Sequence, residues 1–455
     1  MQFKDALIHI KGFRFIAEHI PLSSSAGRRL LYETPFTTDR EELEKVYDKI
    51  EQVIRWEARK NVGLQHLRDI RGTLNNLSVG YVLGDIDLFE IKELALLSLG
   101  VRSQLLADKL TVVNIPDVSD VVKLLDPEGT RVPNFYIYDL YDEQLAQVRA
   151  AIRKEKEEDA KLALRNEEIV LEDKIRGELS RQLKECADDL SQALEGMAEL
   201  DLLVGKAEFA VRYRLCRPVL KGTGMHYINI RHLEVEEQLQ KRSMTFQPVS
   251  VDVEPCATII TGANMAGKSV LLKSLMLAQY MAQFGMWVAA EKAEMTTVDK
   301  ILVSMGDEQD EQRGLSSFAA EMLSINKVIE AVRVGVKVLA LIDEPARTTN
   351  PEEGKAIVSA LVDFLNRNKA LSMVTTHYSG LSVACRRLRV KGFLENKTDK
   401  ILSLNNIDSF IDYTLIEDKE ENVPHEALRI AEILGVDKEL TDKAKLFLNK
   451  NDAKK

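Results

Sequence analysis

Residues 257–269 read ATIITGANMAGKS and decide the fold of the C-terminal half of the chain. The run Ala257–Ile260 is apolar and too short for a helix, so it predicts a buried strand. The residues Gly262–Ser269 fit the pattern G-x-x-x-x-G-K-[ST], and a helical pattern starts at residue 270. Strand, glycine loop and helix in this order predict a phosphate-binding loop. Such a loop turns backbone N–H groups inward, and the helix N-terminus adds partial positive charge.

Every position of this loop is a candidate contact for the phosphates of a nucleotide. The positions are Gly262, Ala263, Asn264, Met265, Ala266, Gly267, Lys268 and Ser269. Lys268 is predicted to reach the β- and γ-phosphates and to act in catalysis, and the Ser269 hydroxyl is predicted to bind Mg²⁺. The pattern therefore predicts a nucleoside triphosphate and Mg²⁺ as ligands.

Two more apolar runs, Val338–Ile342 and Leu371–Val374, predict further strands that lead into polar residues. The first leads into Asp343 and Glu344, of which Asp343 would hold Mg²⁺ and Glu344 would polarise the attacking water. The second leads through two threonines into His377, and a neutral histidine beside a phosphate can hydrogen-bond it. Because the carboxyl ends of parallel strands meet at one edge of a sheet, we expect these side chains to join the glycine loop in one site.

Helical patterns at 270–284, 318–333 and 353–367 alternate with these strands, which predicts a largely parallel sheet covered by helices. Gly314, Ser316 and Ser317 precede the second of these helices. Hydroxyl and backbone N–H groups at a helix start form an anion site, although the same residues in isolation would be an ordinary N-cap.

The rest of the chain is predicted to be helical. Residues 1–140 predict a helical core domain, and 141–215 predict a long-helix lever or arm. The arm would consist of one or two long helices, or of an antiparallel pair that turns near Asn166. Residues 216–415 carry the α/β P-loop NTPase domain, and 416–455 predict a short helical tail. The fold class is thus an α/β P-loop domain preceded by an all-α domain.

The arm is acidic. Tyr141–Leu200 holds 16 acidic and 10 basic residues, a net charge of −6 (10 − 16), in a chain of 455 residues with a net charge of −10. Phosphate contacts need clusters of Lys and Arg, so this composition indicates a solvated arm more than one that grips DNA.

Composition also excludes several classes of protein. The acidic balance excludes a strongly basic nucleic-acid module. The four Cys contain no CxxC pair and indicate neither a zinc site nor a disulfide framework. No segment reads as a signal peptide or a membrane span, so we expect a cytoplasmic protein.

Together these motifs resemble the MutS ATPases of the ABC class, in order from Arg231 to Lys445. Residues 261–269 are similar to the family's TGPNMGGKS, with Ala263 in place of Pro and Ala266 in place of Gly, and Thr375–Tyr378 is similar to its TTHY. The segment Gly306–Phe318 looks like its serine-bearing signature.

Weaker similarity covers parts of the helical region and the tail. Leu30–Glu44 and Leu200–Val211 look like the family's core and lever helices, and Pro424-His425 with the following helices looks like its dimerisation helices.

The resemblance implies an Mg²⁺-dependent ATPase that works as a homodimer. The chains would pair through the ATPase domain and the C-terminal helices, so that Gly314, Ser316 and Ser317 of one chain meet the ATP of the other. Phe246 resembles the family aromatic that stacks on adenine.

The sequence also departs from the family pattern. Pro345–Thr349 stands where the family has a glycine-rich turn, and Arg313 replaces a small residue before the signature glycine. We therefore expect ATP binding more firmly than fast turnover. The mismatch-reading, connector, clamp and Smr domains of the family are not recognised in the sequence, so the resemblance is to a compact form.

Two kinds of partner follow from the resemblance. The first is DNA, in mismatch repair or recombination. The alternative is a protein client, as for the MutS-like reactivating ATPases of adenosylcobalamin-dependent lysine aminomutases, which this compact architecture also resembles.

Overall fold

The computed structural model describes residues 1–10, 12–262, 267–305, 317–393, 411–418, 428, 431–432 and 435–452. They form two compact units. The first consists of Met1–Pro35 and Asp48–Val211, and the second of Phe36–Tyr47 and Arg212–Lys455. The candidate site residues all belong to the second unit.

The first ten α-helices precede all of the described strands, as the sequence predicts for the N-terminal part. They are α1 (Phe3–His9), α2 (Phe13–His19), α3 (Ser25–Glu33), α4 (Arg40–Arg55), α5 (Arg71–Val79), α6 (Asp85–Ala107), α7 (Ser119–Leu125), α8 (Glu143–Lys154), α9 (Glu158–Lys184) and α10 (Ala187–Arg212). Three short 3-10 helices lie among them, at Glu57–Asn61, Leu64–His66 and Asp139–Tyr141.

Helix α4 shows why these segments are helical. Its N-terminus is capped by Asp39, whose carboxylate accepts hydrogen bonds from the backbone N–H groups of Glu41 and Glu42. Leu43, Tyr47, Ile50 and Val53 then recur at helical spacing, and all four are buried. The cap fixes where the helix begins, and the apolar stripe buries one of its faces.

The predicted turn near Asn166 is wrong. Helix α9 runs without interruption from Glu158 to Lys184, and the helices are interrupted instead at residues 155–157 and 185–186. The residues around Asn166 are good helix formers with no Gly or Pro, so nothing there stops the helix. The arm segment therefore contains three helices, α8, α9 and α10.

Arginines on α8 and α9 form ion pairs with nearby carboxylates. Arg149 on α8 contacts Asp139, Glu168 and Glu172 at 2.6–2.7 Å. Arg176 on α9 contacts Glu172 and Asp173, and it also bonds Asp85 at the start of α6. These arginines stabilise the packing of the helices and are already paired with carboxylates.

The second unit contains two sheets and the remaining described helices. The strands are β1 (Val219–Leu220), β2 (Met225–Ile230), β3 (Val249–Val253), β4 (Ala257–Thr261), β5 (Lys292–Met295), β6 (Lys300–Ser304), β7 (Val338–Ile342), β8 (Leu371–Thr375), β9 (Arg386–Phe393) and β10 (Ile411–Glu417). The helices are α11 (Leu233–Lys241), α12 (Lys268–Gln283), α13 (Ser317–Arg333), α14 (Pro351–Arg367) and α15 (Lys438–Asp452).

The larger sheet has six strands in the order β10-β9-β4-β8-β7-β6. The strands β9, β4, β8, β7 and β6 pair in parallel, and β10 pairs antiparallel with β9. The smaller sheet has the order β1-β5-β2-β3. The prediction of a largely parallel sheet with strands at β4, β7 and β8 is confirmed.

Helices cover both faces of the larger sheet. Apolar residues of α13 and α14 form one core with alternate residues of β4, β7 and β8, such as Ile259, Ala340 and Val374. The intervening residues of β7 and β8, Leu339, Leu341 and Met373, are also fully buried. Helix α12 contacts β7 and β8 and is buried along most of its length. Such two-sided burial explains why these strands read as continuous apolar runs.

In the part of the chain that the structure describes, no helix is both long enough and apolar enough to cross a bilayer. Helix α12 has 16 residues and is mostly buried in the core of the second unit.

Candidate nucleotide-binding site

The candidate site lies at the carboxyl ends of three neighbouring strands, β4, β8 and β7. Helix α12 begins after β4 and carries Lys268 and Ser269 in its first turn, β7 leads into Asp343, and β8 leads toward His377. Because the strands are parallel and adjacent, residues that are about 75–110 positions apart in the sequence meet at one edge.

Glycine is required at both ends of the loop between β4 and α12. Gly262 has φ 144° and Gly267, the N-cap of α12, has φ 72°, and both values favour glycine. The Lys268 ammonium is buried and donates to the Gly262 carbonyl oxygen at 2.7 Å. The loop positions Ala263, Asn264, Met265 and Ala266 lie outside the described residues.

Ser269, Asp343 and Thr375 form a chain of hydrogen bonds across the site. The Ser269 hydroxyl donates to Asp343 Oδ2 at 2.6 Å, and the Thr375 hydroxyl donates to Asp343 Oδ1 at 2.5 Å. A hydroxyl and a carboxylate oxygen in contact are hard oxygen ligands of the kind that Mg²⁺ takes together with phosphate and water. The residues present thus fit the predicted metal.

Glu344 lies between two cations. Its Oε1 is 3.5 Å from Lys268 Nζ, and its Oε2 is 3.4 Å from Arg347 Nη1. Its backbone N–H donates to the Thr375 hydroxyl at 2.9 Å. Thr375 therefore orients both acids of the pair, Asp343 through a side chain and Glu344 through the main chain.

The turn after Glu344 has left-handed backbone without glycine. Glu344 has φ 46° and Ala346 has φ 58°, a conformation that costs a non-glycine residue of the order of 1–3 kcal/mol. Two side chains secure Ala346. Its N–H donates to Glu321 Oε1 at 2.9 Å, and its carbonyl oxygen accepts from the Tyr378 hydroxyl at 2.8 Å.

His377 is exposed at the edge of the site. Partial burial lowers the pKa of its imidazole, Glu344 acts in the opposite direction, and Lys268 and Arg347 lower it further. The ring is therefore neutral at pH 7, and a neutral imidazole can both accept and donate a hydrogen bond.

Comparison with known proteins agrees with this geometry. Residues 258–450 match the family MutS domain V. This segment of the chain is therefore similar to MutS domain V.

Related proteins extend the similarity. Over 283 residues the chain is 30% identical to the endonuclease MutS2 of Shouchella clausii, a match that covers 61% of this chain and 34% of that protein. Over 261 residues it is 33% identical to the DNA mismatch repair protein MutS of Thermus aquaticus, which covers 56% of this chain and 30% of the relative. Endonuclease MutS2 of Caldanaerobacter subterraneus is 32% identical over 215 residues, with 46% and 26% covered. The matches thus span about a quarter to a third of the length of these relatives.

Two predicted regions of the MutS domain cannot be placed. Gly314, Ser316, Arg313 and Pro424-His425 lie outside the described residues. Ser317 is the first residue of α13, and nothing is described of its side chain. The in-trans signature stays a prediction.

Phe246 lies in the loop between α11 and β3, next to Gln247. The Gln247 amide donates to Asp412 Oδ1 at 3.0 Å and accepts from the Tyr413 backbone N–H at 3.2 Å. A Cβ added to Gly267 would stand 2.9 Å from the Tyr413 ring. The Phe246 loop is thus tied to a strand that reaches the start of α12, and the stacking of Phe246 on adenine stays a prediction.

Four residues near the site were not singled out from the sequence as functional. Thr375 and Tyr413 lie against the predicted site residues Asp343 and Gly267, whereas Tyr378 and Glu321 bond Ala346, two positions after Glu344. Thr375 and Tyr378 flank His377 in the TTHY segment and could have been found there. Glu321 and Tyr413 carry no signal in the local sequence, because their roles depend on contacts between distant segments.

Proposed function

We propose that the chain binds ATP with Mg²⁺, hydrolyses it to ADP and phosphate, and uses the nucleotide state as a switch. The observation that supports this most strongly is the convergence of Lys268, Ser269, Asp343 and Glu344 within hydrogen-bond or ion-pair distance at one sheet edge. Each of the four supplies a different group that phosphoryl transfer needs.

The contacts suggest how each residue would act. Lys268 would give up its hydrogen bond to the Gly262 carbonyl oxygen and donate to the β- and γ-phosphates instead. The new bonds would be stronger, because both the donor and the acceptor are charged. Ser269 and Asp343 would hold Mg²⁺, which neutralises charge on the phosphates when bound. Thr375 keeps Asp343 in place for this role.

Hydrolysis would use Glu344 as the general base. Water attacks the γ-phosphorus, Glu344 accepts a proton from that water, and the bond to the oxygen that bridges the β- and γ-phosphates breaks to release ADP. Neutral His377 would donate a hydrogen bond to the γ-phosphate and lose that contact when phosphate leaves.

For the partner we propose DNA, with a role in mismatch repair or recombination. The support is the names of the relatives, a DNA mismatch repair protein and endonucleases of the MutS2 type. In this proposal two chains pair through the ATPase domain, and Gly314, Ser316 and Ser317 of one chain meet the ATP of the other.

A specific observation favours the second candidate, a protein client. The segment Tyr141–Leu200 has a net charge of −6, and four of its five arginines, Arg149, Arg153, Arg176 and Arg181, are paired with carboxylates. Arginines engaged in this way are poorly available for phosphate contacts. An acidic surface with paired arginines favours a protein client over DNA, and a remodelling ATPase such as an aminomutase reactivase is the second candidate.

One experiment tests both the nucleotide and the partner. Duplex, mismatched and branched DNA are titrated into the wild type, Lys268→Ala and the exposed-lysine control Lys300→Ala, with and without ATP and at several salt concentrations. We expect salt-sensitive DNA affinity that ATP changes in the wild type and in the control. Lys268→Ala should lose ATP binding by about 100-fold or more, since a buried phosphate contact is removed, and with it any effect of ATP.

The outcomes separate the proposals. If no DNA shows salt-sensitive affinity, the DNA proposal is wrong and the protein client takes its place. If Lys268→Ala binds ATP as the wild type does, the assignment of the phosphate site itself is wrong.

A further inference from the structure

A buried residue two positions after the general base is held from both sides. Ala346 is fully buried and has left-handed backbone with φ 58°. Its N–H donates to Glu321 Oε1 at 2.9 Å, and its carbonyl oxygen accepts from the Tyr378 hydroxyl at 2.8 Å. Both backbone polar groups of this strained residue are therefore bonded to side chains from other elements.

Three separate elements meet at this residue. Glu321 lies on α13, Tyr378 follows β8, and Gly354 lies in the first turn of α14. A Cβ added to Gly354 would stand 2.1 Å from the Tyr378 hydroxyl oxygen, so the approach of Tyr378 to Ala346 requires glycine at 354. Glu321 is half-buried, and burial raises the pKa of its carboxyl group. Among the described residues, one backbone N–H donates to this carboxylate, and burying a carboxylate with so few partners costs free energy.

The held residue is coupled to Glu344 through a stiff connection. Only Pro345 lies between them, and its ring fixes one backbone torsion. Glu344 itself is left-handed and is tied through its N–H to Thr375. With Glu344 held on one side and Ala346 on the other, the turn has little freedom. A shift of Ala346 would therefore rotate the Glu344 carboxylate away from Lys268.

We propose that Glu321 and Tyr378 are positioning residues that hold the strained turn Glu344–Ala346, so that the Glu344 carboxylate is aimed at the phosphate site. They act on hydrolysis and not on nucleotide binding, since neither is bonded to a residue of the phosphate loop among the contacts described. This rests on the proposed ATPase function. It adds two residues outside the predicted catalytic set.

The test compares single-turnover ATP hydrolysis with ATP affinity in four variants. Glu321→Ala removes the acceptor for Ala346, and Tyr378→Phe removes the donor. Glu321→Gln keeps an acceptor oxygen without the charge, and Glu330→Ala is a matched control on the exposed side of α13. We expect Glu321→Ala and Tyr378→Phe to slow hydrolysis by about 10- to 100-fold, the loss expected for a misplaced catalytic group, with ATP affinity within about 2-fold of the wild type.

Two further comparisons separate positioning from loss of structure. Glu321→Gln should keep most of the rate, and Glu330→Ala all of it. In a Glu344→Gln background, Glu321→Ala should cause no additional loss, because the group it positions is gone. Gly354→Ala should resemble Tyr378→Phe, since it displaces the same hydroxyl.

Several results would overturn the inference. These are an unchanged rate in Glu321→Ala, equal loss in Glu321→Gln and Glu321→Ala, or loss of rate together with loss of ATP affinity. An additional loss in the Glu344→Gln background would do the same. If the wild type binds ATP but shows no turnover, the proposed ATPase function fails first and this inference with it.

Discussion

At the scale of single residues, the site depends on side chains that hold other side chains. Thr375 illustrates this, since its hydroxyl donates to Asp343 and accepts from the backbone N–H of Glu344. One hydroxyl thus orients both the predicted metal ligand and the predicted base. Bonds of this kind keep a catalytic group within the small range of positions at which it can act.

His232 provides a pH-dependent contribution to stability. It is buried at the N-terminus of α11, where its Nδ1 accepts from the Val235 N–H. Burial, with a smaller effect of Lys273, lowers the pKa of His232 to about 4 from an ordinary 6.5. Between pH 6.5 and pH 4 the unfolded chain therefore binds a proton at this histidine that the folded chain does not.

We predict that His232 makes the protein less stable as pH falls through this window. The loss of unfolding free energy due to His232 is absent above about pH 6.5 and grows to about 3 kcal/mol as pH approaches 4. Urea unfolding at pH 7 and pH 5 would measure it. In His232→Asn, which can still cap the helix, the loss of unfolding free energy on acidification should be smaller than in the wild type. An equal loss in both proteins would contradict the prediction.

At the scale of elements, a buried carboxylate joins α10 to α3. Asp201 on α10 accepts hydrogen bonds from the N–H groups of Ser23 and Ser24 and from the Ser24 hydroxyl, at 3.0, 2.8 and 2.6 Å. Ser24 in turn caps α3 by accepting from the Gly27 N–H. A Cβ added to Gly27 would stand 2.3 Å from Asp201 Oδ2, so the close approach requires glycine.

Asp201→Ala should therefore destabilise the helical unit strongly. Two buried donors of Ser24 and the part-buried N–H of Ser23 would lose their acceptor, and each unsatisfied buried group costs about 1–3 kcal/mol. We expect a loss of about 3 kcal/mol or more in urea unfolding followed by circular dichroism. Gln192→Ala, at an exposed position of the same helix, should change stability by no more than about 0.5 kcal/mol. A small effect of Asp201→Ala would show that the contact does not hold the two helices together.

At the scale of the whole molecule, the proposed switch depends on two chains sharing nucleotide. Glu344→Gln removes the base but leaves Lys268, Ser269 and Asp343 in place. We predict that this variant binds ATP, hydrolyses it at least about 100-fold more slowly, and forms a dimer that lasts as long as ATP is present.

Light scattering coupled to size-exclusion chromatography would measure the mass with and without ATP. Glu352→Gln, an exposed acid in the first turn of α14, is the control and should turn over ATP like the wild type. A Glu344→Gln protein that stays monomeric in ATP would rule out the shared site. Turnover at the wild-type rate would show that the general base is a different residue.

Sequence patterns predict the strands and helices of the α/β part well, but in the arm they misplace the breaks between the helices. The runs Ala257–Ile260 and Val338–Ile342 are short, apolar and bounded by polar residues, so their type and position can be recognised locally. The arm offers no such boundary, because good helix formers continue through Asn166. The helices end instead at residues 155–157 and 185–186, two positions that no Gly or Pro marks.

The sequence by itself determined the predicted phosphate loop, the order of the motifs along the chain and the pair Asp343-Glu344, since spacing along the chain encodes them. Only the tertiary structure decided which distant groups support them. It brings Thr375 to Asp343, Glu321 to Ala346, and Gln247 to a strand 165 residues further along the chain. It also places Phe36–Tyr47 with the second unit, where the Tyr47 hydroxyl donates to the Ala282 carbonyl. The physical reason is that periodicity reports which face of an element is buried, whereas the partner across that face is chosen by packing.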